Sequence, residues 1–207
     1  YSFADIVKSY DDNPHIKEMM LTGGAPTMHP KLVNELTKFA AERGIIITIE
    51  TEGSHFLQTD YPIGLISLSP KFSNSVPVLG VETPQGKIVD QKMIDRHNKF
   101  RLNYEAIAST LLYHKDFHIK VVVNTDLSIL NELQDFISQL ADKIRQKDRF
   151  WQTDQNLQQY IRSKVWLMPA GDDRESLIES YGPVMNAALK YGFKFTGRPH
   201  IIAFDTQ

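Results

Sequence analysis

Short apolar, β-branched runs alternate with helical patterns along most of this chain, and that alternation limits the fold more than any other feature. Residues 17–21, 45–50, 64–68, 118–123 and 164–168 read as strands. Two of them, through Ile45-Ile46-Ile47 and Val121-Val122-Val123, are continuous rather than alternating. Continuous runs suit parallel strands covered on both faces. Between the strands lie amphipathic stretches. Residues 31–43 place Leu32, Leu36, Phe39 and Ala40 on one side, with Pro30 suited to the first turn and Gly44 to the end. Residues 126–147 do the same with Ile129, Leu133, Phe136, Ile137, Leu140 and Ile144, and Asp126 is the expected N-cap. Residues 101–113 and 174–191 predict two more helices, the second interrupted at Gly182-Pro183, and residues 1–10 predict a helix ahead of the first strand. Strands separated by helices indicate an α/β fold with crossover connections. The Pro- and Gly-bearing residues 73–98 form an insertion, and no domain boundary is visible in residues 1–207.

Composition narrows the function. With 42% hydrophobic and 23% charged residues, the chain can bury a sizeable core. A formal net charge of -2 gives no basic footprint for nucleic acid. No apolar stretch is long enough to span a bilayer and no secretory signal precedes Tyr1, so a cytoplasmic location is expected. There are no cysteines, which removes disulfides and thiolate metal ligands from this chain. His114 and His118 are four apart, but a turn near Asp116 separates them and no zinc spacing emerges.

The candidate site residues share one location. Thr22-Gly23-Gly24-Ala25-Pro26, Glu50, Ser69-Pro70-Lys71, Asn124 and Pro169-Ala170-Gly171 all follow predicted strands. In parallel α/β folds those ends form one rim where ligands bind. The Gly23-Gly24 turn suits a backbone that approaches a ligand, although Gly-Gly also makes ordinary turns. Glu50 ends an apolar strand, so its half-buried carboxylate calls for a partner: a ligand hydroxyl or amine, or a nearby lysine. Lys71 suits a carboxylate or phosphate, or is a solvated surface lysine. Arg198 and His200 flank Pro199, either as ligand contacts or on an edge strand with a salt bridge. Trp166 is expected in the core.

Taken in order, these segments resemble the radical S-adenosylmethionine (SAM) enzymes that make 7-carboxy-7-deazaguanine. The family's Thr-Gly-Gly-Glu-Pro is similar to residues 22–26, its Ile-Glu-Thr-Asn-Gly-Thr to residues 49–54, and its Ser-Pro-Lys to Ser69-Pro70-Lys71. Residues 96–103, 120–124 and 165–171 and the close Arg198-Pro199-His200-Ile201 extend the likeness over nearly the whole chain. The resemblance implies a partial, open (β/α)6-type TIM-like barrel of the radical SAM superfamily. It also implies a lyase of queuosine and 7-deazapurine biosynthesis. A 4Fe–4S cluster and SAM would generate a 5′-deoxyadenosyl radical, which takes hydrogen from C6 of 6-carboxy-5,6,7,8-tetrahydropterin. Ring contraction with loss of ammonia follows, assisted by Mg2+. It further implies that Gly23, Gly24, Glu50, Ser69, Lys71, Met168, Pro169, Ala170 and Gly171 bind SAM, that Thr22 and His200 meet the pterin, and that the enzyme is a homodimer.

Three departures stand out. The family's Cys-x3-Cys-x2-Cys is absent, so the first strand and the cluster loop are expected to lie outside these residues, and the chain as given is expected to be cluster-free and inactive. Ala25 stands where the family has a Glu that holds the SAM amino group. A short Arg-Gly tail is also missing. Two alternatives stay open: another radical SAM enzyme of the activating type, and a non-catalytic nucleotide- or pterin-binding module.

Overall fold

The computed structural model describes residues 2–23, 25–83, 86–114 and 116–205. Six strands run parallel in one open sheet: β1 (Glu18–Leu21), β2 (Ile46–Thr51), β3 (Leu65–Leu68), β4 (Phe117–Val123), β5 (Val165–Pro169) and β6 (Lys194–Phe195). Their spatial order is their order in sequence. Right-handed crossovers that always step the same way leave the connecting helices on one side of the sheet. The open parallel sheet with helices is consistent with a partial barrel.

Burial along the strands follows from that arrangement. In β2, Ile47, Ile49 and Thr51 are buried, while Ile46 is 57% exposed. In β4, Phe117, Ile119, Val121 and Val123 are buried, with His118, Lys120 and Val122 on the opposite face. The buried set packs with α2 (Pro30–Arg43), α4 (Tyr104–His114), α5 (Leu130–Lys147) and α7 (Arg174–Tyr191) into one core. The expectation that continuous apolar runs mean two covered faces is therefore corrected. β-branched side chains suit the pleated strand on either face, so Ile46 and Val122 lengthen the runs without being core. Trp166, expected in the core, is half-buried on the open face, edge-on to His118 at 6.3 Å.

The helices depart from expectation in instructive places. α1 (Phe3–Asp12) forms as expected, with a capping box between Ser2 and Asp5, and sets Phe3 and Tyr10 edge-on against Phe39. α5 starts at Leu130, so Asp126 is not its N-cap; the Asp126 carboxylate instead accepts the Ser128 N–H at 3.1 Å, closing a turn ahead of the helix. α7 runs unbroken through Gly182-Pro183. Both residues are exposed, so water can satisfy the carbonyl that Pro183 cannot serve. The insertion contains a helix, α3 (Gln91–Phe100), capped by the Asp90 carboxylate on the Met93 N–H at 2.7 Å. α4 begins at Tyr104 rather than at residue 101. The short α6 (Leu157–Ser163), β6 and α8 (Pro199–Phe204) were not expected; Pro199 starts α8 where an edge strand had been the alternative. No helix among the described residues is long and apolar enough to cross a membrane.

Candidate functional site

Parallel strands put every strand C-terminus on the same edge of the sheet, and a polar cluster forms on the open face between the ends of β1 and β2 and the middle of β4. Thr22 follows β1, Glu50 lies in β2 and Lys120 in β4. The Thr22 hydroxyl donates to Glu50 Oε2 at 2.6 Å, and the Lys120 ammonium pairs with Glu50 Oε1. Lys120 reaches Glu50 across β3, where Ser67 is in register with both Glu50 and His118. Ser67 Oγ and His118 Nε2 share a hydrogen bond of 2.7 Å. The expected partner of Glu50 is thus found in duplicate, a hydroxyl and a lysine.

The electrostatics follow from this wiring. Burial pushes the Glu50 carboxyl upward, but the Lys120 and Thr22 hydrogen bonds and the Lys120 charge outweigh it, holding its pKa below the ordinary carboxylate value. His118 is pulled below the usual imidazole range, first by burial and then by the Lys120 charge. Near neutral pH the cluster therefore holds a carboxylate, an ammonium and an uncharged imidazole. An ionised carboxylate has no proton to give, so the Thr22 hydroxyl must be the donor in that pair. Its oxygen is left to accept a hydrogen bond from a ligand.

The other expected site residues have different surroundings. Gly23 has φ +78°, with open space where a Cβ would sit, so it serves a turn rather than a close approach. Gly24 lies outside the described residues. Ala25 is extended and its carbonyl caps a 3-10 turn, accepting the Met28 N–H at 2.8 Å. The Ser69 N–H continues the ladder to the Thr51 carbonyl at 2.7 Å, and Ser69, Lys71 and Asn124 line a cavity of about 260 Å³. Met168 is half-buried on the open face in register with Val122. Pro169 is buried, so its ring is turned away from the open face. The Ala170 N–H is engaged by the Val123 carbonyl at 2.9 Å. A Cβ on Gly171 would come within 2.7 Å of the Leu177 backbone, which is a packing reason for glycine there. Arg198 donates to the Gly171 carbonyl at 2.7 Å and so ties α8 to the β5 end. His200 is exposed on the first turn of α8, and no hydrogen bond joins it to Thr22, Glu50 or Lys71.

The structure thus joins Thr22 to Glu50 and Ser69 to Lys71, and leaves His200 apart from both. His114 and His118 also serve separate partners, the Leu57 carbonyl and Ser67. Sequence reasoning missed Lys120, Ser67 and His118 as members of the cluster. The available signal was their position: His118 and Lys120 are polar residues at alternate places in an apolar strand.

No family model matches the chain. A 7-carboxy-7-deazaguanine synthase from Halobacterium salinarum is 29% identical over 204 residues, which cover 99% of this chain and 71% of that protein. The chain is thus similar, over nearly its whole length, to a 7-carboxy-7-deazaguanine synthase.

Proposed function

We propose that the protein acts as a 7-carboxy-7-deazaguanine synthase, a radical SAM lyase that contracts the ring of 6-carboxy-5,6,7,8-tetrahydropterin. The observation that carries this reading is the 29% identity to a synthase of that name along 99% of the chain. The geometry supports it. Thr22 presents an acceptor, and Glu50 stays ionised beside it with Lys120 balancing the charge. Such a cluster suits a ligand edge rich in N–H donors, as on an aminopyrimidinone ring.

The residues fit SAM in part. Ser69 and Lys71 line one cavity and offer a hydroxyl and an ammonium to a ligand with ribose and carboxylate groups. Met168 supplies an apolar contact on the same rim. Ala25 offers no carboxylate for the SAM amino group, so that role falls to the backbone around Gly23. When bound, SAM supplies the hydrogen-abstracting oxidant; the residues here orient the substrate and keep water away. The residues do not fit an iron–sulfur cluster held by thiolates, because the chain has no cysteine. Nor do three His, Asp or Glu side chains gather to hold a metal ion among the described residues. No step is therefore assigned through a cluster or through Mg2+.

The test is an anaerobic assay of the full-length protein, with reconstituted cluster, SAM, reductant, Mg2+ and carboxytetrahydropterin. Formation of the deazapurine is the expected outcome. SAM cleavage without that product would assign the protein to another radical SAM reaction.

A further inference from the structure

Lys71 stands between two cavities. It lines the one of about 260 Å³ with Ser69 and Asn124, and one of about 500 Å³ whose wall includes Arg96 and Arg101. A lysine carries its ammonium on a long flexible stem, so where the charge sits depends on how firmly the backbone beneath it is held. That backbone belongs to the segment after β3, which the sheet ladder reaches at Ser69.

Beyond Ser69, two side chains from distant parts of the chain take hold of it. Arg101, just past the end of α3, donates through Nη1 to the Lys71 carbonyl at 3.3 Å and to Glu132 Oε1 at 2.7 Å. The other carboxylate oxygen of Glu132, in the first turn of α5, accepts the Ser73 N–H at 2.9 Å. The Lys71 carbonyl and the Ser73 N–H belong to the two peptide units that flank Phe72, and Phe72 is itself buried edge-on to Phe136 of α5. The Arg101 and Glu132 side chains are 21% and 25% exposed, so water competes with these bonds only in part. Burial pushes the Glu132 carboxyl upward, but hydrogen bonds from Arg101 and Ser73 outweigh it and hold its pKa below the ordinary carboxylate value. Near neutral pH both of its oxygens are therefore acceptors. An ion pair that only joined α5 to the chain after α3 would not need the loop backbone. Here both partners also bond to it.

We propose that Arg101 and Glu132 are positioning residues for the Ser69-Pro70-Lys71 segment, fixing the peptide units on either side of Phe72 and so the place from which Lys71 extends. They act through Lys71 rather than on the ligand. The proposal rests on the reading that Lys71 holds SAM.

Two measurements on the full-length protein test it. The first is amide exchange at Ser73 without SAM, expected to quicken in Arg101→Gln and Glu132→Ala and to stay unchanged in Lys71→Ala. The second is SAM affinity of the cluster-loaded protein. Lys71→Ala should weaken it about tenfold, the loss of one charge-assisted contact. Arg101→Gln and Glu132→Ala should each weaken it by no more than that, and should add nothing in a Lys71→Ala background. Glu132→Gln, which keeps an oxygen for the Ser73 N–H, and Arg101→Lys should each recover part of the affinity, and they carry the test if the harsher variants fail to fold. Unchanged Ser73 exchange would overturn the clamp. Losses that add to that of Lys71→Ala would make Arg101 a ligand contact in its own right and overturn the positioning role. So would unchanged SAM affinity in variants whose Ser73 exchange has quickened. A wild-type protein that binds no SAM counts against the functional reading, while Ser73 exchange still decides whether the two side chains hold the loop.

Discussion

The two faces of the sheet are made of the same strands and do opposite things. On the covered face, Ile47, Ile49, Ile66, Ile119, Val121 and Leu167 are nearly or wholly buried. On the open face, the same strands carry two contact sets, Glu50 and Lys120 with Thr22, and His118 with Ser67 and Trp166. The period of two lets one backbone serve both purposes, because successive side chains point to opposite sides. Apolar burial is therefore concentrated on one face and polar contacts on the other. The open face keeps apolar members such as Met20 and Val122, at 59% and 37% exposure, so polarity alone does not distinguish the two.

The comparison can be broken most severely from the covered side. Phe136 is fully buried and edge-on to Phe72 at 5.4 Å. Phe136→Ala should destabilise the fold by about 3–5 kcal/mol, read in urea denaturation. A loss below about 1 kcal/mol would mean that the helix-side core does not carry the fold.

An intermediate effect is expected at the polar cluster. Lys120→Met leaves Glu50 half-buried without its cation, so its carboxyl pKa should rise. In the wild type the pKa is depressed. The stabilisation it contributes is present above the unfolded value and is lost as pH falls through the lower folded value. The variant should lose that acid-side dependence, followed by thermal denaturation between about pH 3 and pH 7. Turnover should fall more than overall stability, and Lys120→Arg should recover part of it. An unchanged pH profile would dissolve the ion pair as a functional unit.

The smallest effect belongs to the apolar part of the open face. Val122→Ala should change stability by about 1 kcal/mol or less, since more than a third of Val122 stays exposed and no closed cavity is left behind. A core-sized loss there would show that something covers this face.

Much of the framework is legible in local pattern. The strand runs, the amphipathic spacing of Leu133, Phe136, Ile137 and Leu140, and Gly44 closing α2 with φ +62° are short-range signals with short-range causes. Local pattern failed where solvent or a competing turn made the decision. Pro183 does not break α7, because its turn faces water. Asp126 closes a turn instead of capping α5. The short α3, α6 and α8 give too few turns for a clear periodicity.

The candidate site divides along the same line. The demand of Glu50 for a partner was readable, because a carboxylate at the end of an apolar strand must be compensated. Its partner was not, since Lys120 is 70 residues away and meets Glu50 only across β3. Likewise, Arg96 and Lys71 are brought to one cavity by the packing of α3 against the rim. The sequence by itself determined that short apolar strands alternate with amphipathic helices, that no thiolate ligand exists in this chain, and that glycines and polar residues gather after strands. Only the tertiary structure decided which face stays open and which distant charges meet. A period of two specifies that a strand has two faces, but strand order, register and helix placement determine what each face touches.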